Sequence, residues 1–200
     1  MLFASILLAA AAVNSAASFP GRNDPSDRLG ISAPPLALAQ WINSEPLEIA
    51  RLRGRVVLVR WWTDTCPFCV ASAPSLIEFD ENYRDKGLVT IGVFHPKPSG
   101  DRSVARMRRA ADRLGFRFPV ALDADWTALR RWWLDYHDSW TSVSFLIDRS
   151  GVIRYVHPGG EFHQGGGGTH WADHSSCNRE HREIEESILR LLAEPIPAAP

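Results

Sequence analysis

Two long apolar runs dominate the hydrophobic pattern of the chain. Residues 56–59 lead into Trp61 and Trp62, and residues 88–94 form a second run directly after Gly87. Apolar runs of this length without polar alternation are typical of strands that are buried on both faces. The pattern therefore predicts two central strands of a covered sheet.

Shorter segments add further elements around these strands. Residues 118–122 are strand-like, and residues 144–148 and 152–156 predict a hairpin across a Ser-Gly turn. Helical patterns are predicted from about 67 to 86, and over 101–114, 126–133 and 180–192, with Pro74 expected to kink the first helix. Strands that alternate with helices predict an α/β fold, and the closing hairpin makes the sheet mixed.

The most informative stretch lies where the first strand passes into the first helix, at Cys66-Pro67-Phe68-Cys69. Residues i and i+3 on the first helical turn bring two sulfurs close enough to bond. Cys66 is predicted at the helix N-terminus, where free N–H groups and the helix dipole favour a thiolate, and Pro67 suits the first helical position. We predict that Cys66 is the nucleophile and Cys69 the resolving cysteine of a redox dithiol.

The Cys-x-x-Cys pair could instead be a structural disulfide or half of a zinc site, and the composition of the chain argues against both. The chain has 200 residues, 45% of them hydrophobic, and three cysteines. A zinc ribbon needs a second pair of ligands, and Cys177 is the only other cysteine. Three cysteines are too few for a disulfide scaffold, and a net charge of -1 argues against a nucleic-acid partner.

The chain divides into four predicted parts. Residues 1–17 are predicted to be a signal peptide or an N-terminal anchor, because an apolar stretch too short for a typical membrane span precedes small residues. Residues 18–34 are predicted to be a linker, 35–193 a domain with a His/Gly-rich insertion at 157–178, and 194–200 a flexible tail. This division predicts a periplasmic or otherwise extracytoplasmic protein, either soluble after signal cleavage or anchored.

Several segments together resemble the thioredoxin superfamily, and within it the exported TlpA/ResA/DipZ-like thiol-disulfide oxidoreductases. The segments that carry the resemblance are residues 52–59, 62–74, 87–93, 118–125 and 145–153. The resemblance implies a thioredoxin-like three-layer sandwich with a mixed central sheet flanked by helices. It also implies an enzyme of cell redox homeostasis that exchanges disulfides with protein substrates. The resemblance favours a reductase that receives electrons from a membrane or periplasmic donor. It implies no cofactor beyond the redox-active disulfide.

Three positions depart from the family pattern. Ser142 stands where the family has a cis-proline facing the dithiol, which predicts a trans or differently shaped loop. Arg60 stands where thioredoxins have a buried aspartate. It is predicted either to stabilise a thiolate, or to be directed to the surface or paired with an acid. Ser72 replaces the glutamate of ResA-like proteins.

Other residues near the dithiol are candidates for supporting roles. Asp64, with the Thr63 and Thr65 hydroxyls, is a candidate substitute for the missing proton-handling groups. Trp62 and Trp140 are predicted to wall a groove that receives an apolar substrate segment.

The segment after the hairpin is rich in potential metal ligands. Its six candidates are His157, His163, His170, His174, Cys177 and His181. Of these, His170, His174, Cys177 and His181 are the preferred candidate ligands of a zinc or copper ion, and a solvated loop without metal is the alternative.

Two other functions remain open at the level of sequence. A peroxiredoxin-like peroxidase is one, because Thr63 precedes Cys66 by three residues, although Val59 replaces the proline of that motif. The other is a non-enzymatic copper- or zinc-binding thioredoxin-like module that uses Cys66, Cys69 and a histidine.

Overall fold

A computed structural model describes residues 24–98, 100–138, 140–165 and 174–197. The strands are β1 (Trp41–Ile42), β2 (Val56–Trp62), β3 (Leu88–Phe94), β4 (Val120–Leu122), β5 (Ser144–Ile147) and β6 (Ile153–His157). The α-helices are α1 (Pro67–Tyr83), α2 (Val104–Leu114), α3 (Thr127–Leu129) and α4 (Ser175–Ala193), and 3-10 turns lie at Pro25–Arg28, Ile49–Leu52 and Arg84–Lys86.

The six strands form one mixed sheet in the order β1-β4-β3-β2-β5-β6. The three strands β2, β3 and β4 are parallel, and β1, β5 and β6 each pair antiparallel with their neighbours. The predicted apolar runs thus became the two central strands, which pair over seven residues from Val56–Leu88 to Trp62–Phe94. Their position explains the continuous hydrophobicity, because both faces of β2 and β3 are covered.

Two apolar cores, one on each face of the sheet, make the molecule a three-layer sandwich. One core contains Trp62 and Phe79 and is covered by α1, α2 and α4. The other contains Trp61, Trp132 and Phe145 and is covered by α3, the turns after it and the N-terminal segment. The predicted thioredoxin-like α/β architecture is therefore confirmed.

Several boundaries differ from the sequence prediction. α4 begins at Ser175 rather than near residue 180, within the predicted insertion. The helix predicted over 126–133 is a short α3 followed by a π-helical stretch, Arg130–Leu134. α1 continues through Pro74 to Tyr83.

The two ends of the described chain also make specific contacts with the hairpin. Gly30 N donates to Ile153 O (2.8 Å), so residues 24–34, predicted to be part of a linker, pack on the domain and extend it N-terminally. At the other end, the Glu194 carboxylate accepts from Arg154 at 3.2 Å. The predicted signal or anchor lies outside the described residues, and none of the described helices has the length and apolar character to cross a membrane.

Phe145 should be a major contributor to stability. Its buried ring lies 5.7 Å from Trp61, 5.1 Å from Trp132 and 6.2 Å from Trp133, measured between ring centroids. We expect Phe145→Ala to lower the free energy of unfolding by about 3–5 kcal/mol, because it removes a buried ring and leaves a cavity. Leu189→Ala, at a position 46% exposed on α4, is the control and should change it by at most about 0.5 kcal/mol. Denaturant unfolding of both variants tests this, and equal effects would contradict it.

Candidate active site

The Cys66-Cys69 pair lies at the turn from β2 into α1. Cys66 is the N-cap of α1, with Pro67 at the first helical position, and Cys66 O accepts from the N–H groups of Cys69 (3.1 Å) and Val70 (3.2 Å). Cys66 is half-buried, whereas Cys69 is only 2% exposed. Both are free thiols, so the structure represents the reduced dithiol. The accessible sulfur is the one that sequence reasoning assigned to attack.

The two cysteines have opposite acid–base properties. The pKa of Cys66 is lowered to about 5, first by a hydrogen bond from the Cys69 thiol, and also by backbone N–H groups and the Ser142 hydroxyl. The pKa of Cys69 is raised well above its usual value, because it is the donor in that hydrogen bond and because it is buried. At neutral pH the pair therefore consists of a Cys66 thiolate and a neutral Cys69 thiol, which is the arrangement that disulfide attack requires.

Ser142 contacts both sulfurs from the loop before β5. Its Oγ lies 2.9 Å from Cys69 Sγ and 4.0 Å from Cys66 Sγ. No described residue follows a cis peptide bond, which confirms the prediction of a trans loop here. A hydroxyl donor thus occupies the place where the family has an apolar proline ring, and it adds to the stabilisation of negative charge on the pair.

Arg60 is completely buried beneath the dithiol, so the alternative in which it faces solvent is wrong. Its Nη1 donates to Ser144 Oγ (3.1 Å), its Nη2 donates to Gly160 O (2.9 Å), and its Cζ lies 5.0 Å from the centroid of the Phe162 ring. Burial lowers the pKa of Arg60 below its usual range, and the charges of Cys69 and then Cys66 act in the opposite direction. Arg60 consequently supplies a positive charge behind Cys69 that favours thiolate.

Residues 160–162 hold Arg60 in place by binding to α1. Ser72 Oγ donates to Phe68 O (2.8 Å) and accepts from Phe162 N (3.1 Å). The Phe162 ring stacks on Phe79, with centroids 6.3 Å apart. Ser72 stands at the position of the ResA-like glutamate. Its hydroxyl therefore joins residues 160–162 to the active-site helix α1.

Asp64 lies in an ion pair and does not contact the sulfurs through any described interaction. Its carboxylate accepts from Arg106 Nη2 (2.8 Å) and Nε (3.2 Å), and Arg113 lies at 3.8 Å. The Thr63 hydroxyl lies 3.5 Å from both Asp64 Oδ1 and Thr65 Oγ1. The bidentate pair links the active-site turn to α2, and the role of Asp64 in proton handling stays a prediction.

The two tryptophans predicted to wall a groove have different positions. Trp62 is 1% exposed and packs against Phe94 and Phe116 in the core, so its predicted role at the groove is wrong. Trp140 is 56% exposed and meets the Phe68 ring edge to face, with centroids 5.7 Å apart. Phe68 and Trp140 thus form an apolar surface directly beside Cys66.

The candidate metal ligands are also only partly brought together. His170 lies outside the described residues. His181 is buried elsewhere, with Nδ1 3.0 Å from Ser75 Oγ and Nε2 2.9 Å from Gln164 Nε2, so it is separate from the cluster. His163 instead joins His174 and Cys177, with ligand atoms within 4.8 Å of one another. Among the described residues this is the only such cluster, and it does not include Cys66 or Cys69.

Sequence reasoning missed the groups that bind Arg60, namely Ser144 Oγ and the carbonyl of Gly160. Arg60 and Ser144 are directly paired across β2 and β5, so the register of the hairpin was the signal that would have found Ser144. Gly160 lies in a loop whose path no periodicity predicts.

A dithiol at a strand-to-helix turn, inside a mixed sheet with helices on both faces, defines a thioredoxin-fold dithiol protein. The Redoxin family matches residues 30–164, and the chain belongs to that family. Similar proteins include the DipZ protein of Mycobacterium bovis, 30% identical over 129 residues, which are 62% of this chain and 18% of DipZ. The thiol-disulfide oxidoreductase ResA of Halalkalibacterium halodurans is 26% identical over 119 residues, 60% of this chain and 62% of ResA.

Solved structures agree with this fold. A protein from Chlorobium tepidum described as a thiol:disulfide interchange protein DsbE superposes with a TM-score of 0.64 at 22% identity, covering 82% of this chain and 98% of that protein. The Redoxin match and the similarity to DipZ and ResA confirm the TlpA/ResA/DipZ-like resemblance. This chain spans less than a fifth of the length of the first curated relatives it matches.

The hydrogen bond from Cys69 should control the reactivity of Cys66. We expect alkylation of Cys66 in the reduced protein to follow a pKa of about 5, with the reactive thiolate lost as pH falls below it. Cys69→Ala removes the largest stabilising contact, so the pKa of Cys66 should rise and the thiolate fraction at pH 5 should fall at least roughly fivefold, given ~1.5 kcal/mol for a hydrogen bond to an ionised group.

The measurement is the alkylation rate against pH, followed by mass spectrometry of the modified cysteine. Cys177→Ser is the matched control, because this buried thiol has no contact with the dithiol among those described, and its profile should equal that of the wild type. An unchanged profile in Cys69→Ala would contradict the assignment.

Proposed function

We propose that this domain is a thiol-disulfide oxidoreductase that acts on protein substrates. The observation that carries the proposal is the asymmetric pair: a half-buried Cys66 thiolate at a helix N-terminus that accepts a hydrogen bond from the buried Cys69 thiol. Membership of the Redoxin family and similarity to a protein named thiol-disulfide oxidoreductase ResA support the same activity.

Each residue near the pair has a defined role in the proposed exchange. The Cys66 thiolate attacks a substrate disulfide, forms a mixed disulfide and expels one substrate thiolate, which takes up a proton. Cys69 then loses its proton, attacks Cys66 Sγ and releases the second substrate thiolate, leaving Cys66-Cys69 oxidised and the substrate reduced by two electrons. Arg60 and Ser142 stabilise the negative charge on Cys69 during this second step, and Phe68 with Trp140 offers an apolar contact for the substrate.

The preferred direction of the disulfide exchange is reduction of the substrate, for substrates whose disulfides are easily reduced. A stabilised Cys66 thiolate stabilises the reduced form, which moves the potential above the value of about −270 mV that is typical of thioredoxin. Structural disulfides with potentials below about −300 mV would therefore remain intact, whereas exposed or strained disulfides would be reduced. This selectivity suits repair of incorrect disulfides by a protein that receives its electrons from a membrane or extracytoplasmic donor.

The proposed location is outside the cytoplasm, most simply the periplasm. The apolar segment followed by small residues at the start of the chain supports export, and a dithiol that repairs disulfides is needed where disulfides form.

Removing the resolving cysteine should trap the intermediate. We expect Cys69→Ala to accumulate a mixed disulfide between Cys66 and a substrate protein with an exposed disulfide, visible on non-reducing gels and located by mass spectrometry. The double variant Cys66→Ala/Cys69→Ala is the control and should trap nothing. Peroxide turnover by the wild type without any trapped protein would contradict the proposal and favour a peroxidase.

Arg60 should raise the reduction potential of the pair. Arg60→Met removes the buried cation that favours thiolate, so we expect the potential to fall by roughly 30 mV or more, equivalent to ~1.4 kcal/mol for a two-electron couple. Equilibration with glutathione, read by the fraction of oxidised protein, measures this. Arg106→Met, which removes the partner of Asp64, is the matched control and should leave the reduction potential nearly unchanged. A reduction potential that rises in Arg60→Met would contradict the role assigned to Arg60.

A further inference from the structure

A second cluster of reactive side chains lies at the start of α4, and the disulfide chemistry does not use it. Imidazole nitrogens of His163 and His174 and the sulfur of Cys177 all lie within 4.8 Å of one another. His163 is 4% exposed and Cys177 is 2% exposed. No other trio of histidine, cysteine and acidic side chains is so arranged within the part of the chain that the structure describes.

Backbone contacts bring the two halves of this cluster together. His163 N donates to Cys177 O (3.4 Å), and Gly165 N donates to Asn178 Oδ1 (2.9 Å), which fixes the segment after β6 against the first turn of α4. Asn178 also donates through its backbone N (2.9 Å) and its Nδ2 (2.8 Å) to His174 O. The ligand atoms are therefore held by hydrogen-bonded backbone on both sides.

The ring of His163 adds a second observation at this cluster. Both of its nitrogens are buried and have no hydrogen-bond partner among the described residues, and the carboxylate oxygen Glu161 Oε1 lies 4.0 Å from Nε2. A buried polar atom left without a partner costs about 1–3 kcal/mol. Glu161 Oε1 also lies 3.6 Å from Cys177 Sγ, so a carboxylate borders the same space.

We propose that His163, His174 and Cys177 form a binding site for one Zn²⁺ ion, with the Glu161 carboxylate in reach of the fourth position. Two imidazoles, a thiolate and a carboxylate suit Zn²⁺, and the carboxylate makes the set harder than Cu⁺ prefers. Bond lengths of about 2.0–2.3 Å around a tetrahedral ion place ligand atoms roughly 3.5 Å apart. The largest separation between ligand atoms, 4.8 Å, shortens by about 1.3 Å to reach this, and binding releases the Cys177 proton to solvent.

The proposed site is adjacent to the dithiol but chemically separate from it. The chain between them is short: Gly160 O accepts from Arg60, Phe162 N donates to Ser72, and His163 follows. A bound ion would brace residues 160–163 against α4. It would leave Cys66 and Cys69 free for exchange.

Metal titration of the reduced, chelator-treated full chain tests the proposal. Cys66→Ser/Cys69→Ser provides the background, so that Cys177 is the only thiol. We expect one Zn²⁺ per chain in competition with a chromophoric chelator, and a thiolate-to-Co²⁺ charge-transfer band when Co²⁺ replaces Zn²⁺. Adding Cys177→Ser should abolish that band and weaken Zn²⁺ binding by about 100-fold or more, and adding Glu161→Gln should weaken it about 10-fold.

Two controls keep the result interpretable. His95→Gln alters a buried histidine after β3, outside the cluster, and should retain full Zn²⁺ binding. Cys177→Ser in the otherwise wild-type chain should keep disulfide exchange and its metal-free unfolding midpoint, which separates this site from the proposed enzymatic function. Any of three results would overturn the proposal. These are a Zn²⁺ affinity that Cys177→Ser leaves unchanged, no Co²⁺ band in the Cys66→Ser/Cys69→Ser protein, and preferential binding of Cu⁺.

Discussion

The active site depends on a guanidinium that is completely buried. Moving an isolated charge into a protein interior costs several kcal/mol unless other groups compensate for it. Arg60 receives hydrogen-bonding partners from β5 and from the segment after β6, an aromatic ring face, and the negative charge that develops on the dithiol. The charge of Arg60 is thereby coupled electrostatically to the dithiol, because a thiolate provides the buried cation with a counter-charge and a disulfide does not.

This coupling explains why the altered positions form a consistent set. Thioredoxins place a carboxylate beneath the dithiol and a proline ring beside it, whereas this chain has Arg60 and Ser142. A cation and a hydroxyl both favour negative charge on sulfur, and Ser142 Oγ reaches both sulfur atoms. Ser72 and Phe162 then tie the segment that holds Arg60 to the helix that carries Cys69. The proposed metal site extends from the same segment, so one short stretch of chain supports both features.

Sequence alone was sufficient for those parts of the site that depend on local chemistry. The Cys-Pro-Phe-Cys spacing determined the strand-to-helix turn, the N-cap position of Cys66 and the burial of Cys69, because all three follow from helix geometry within a few residues. Asp64 shows the limit of this reasoning. It is near Cys66 in sequence, yet its carboxylate pairs with Arg106 on α2, a partner 42 residues away.

Long-range packing decided the remainder. The apolar runs determined that β2 and β3 are central, since only a doubly covered strand tolerates continuous hydrophobicity. Whether Arg60 faces solvent or the dithiol depended on the pairing of β2 with β5 and on the path of residues 160–162, and neither is written in a local pattern. His163 rather than His181 joined Cys177 for the same reason, because the contact of the segment after β6 with α4 brings distant residues together. The sequence determined the central strands and the reactive pair, and the tertiary structure decided which charges and ligands surround them.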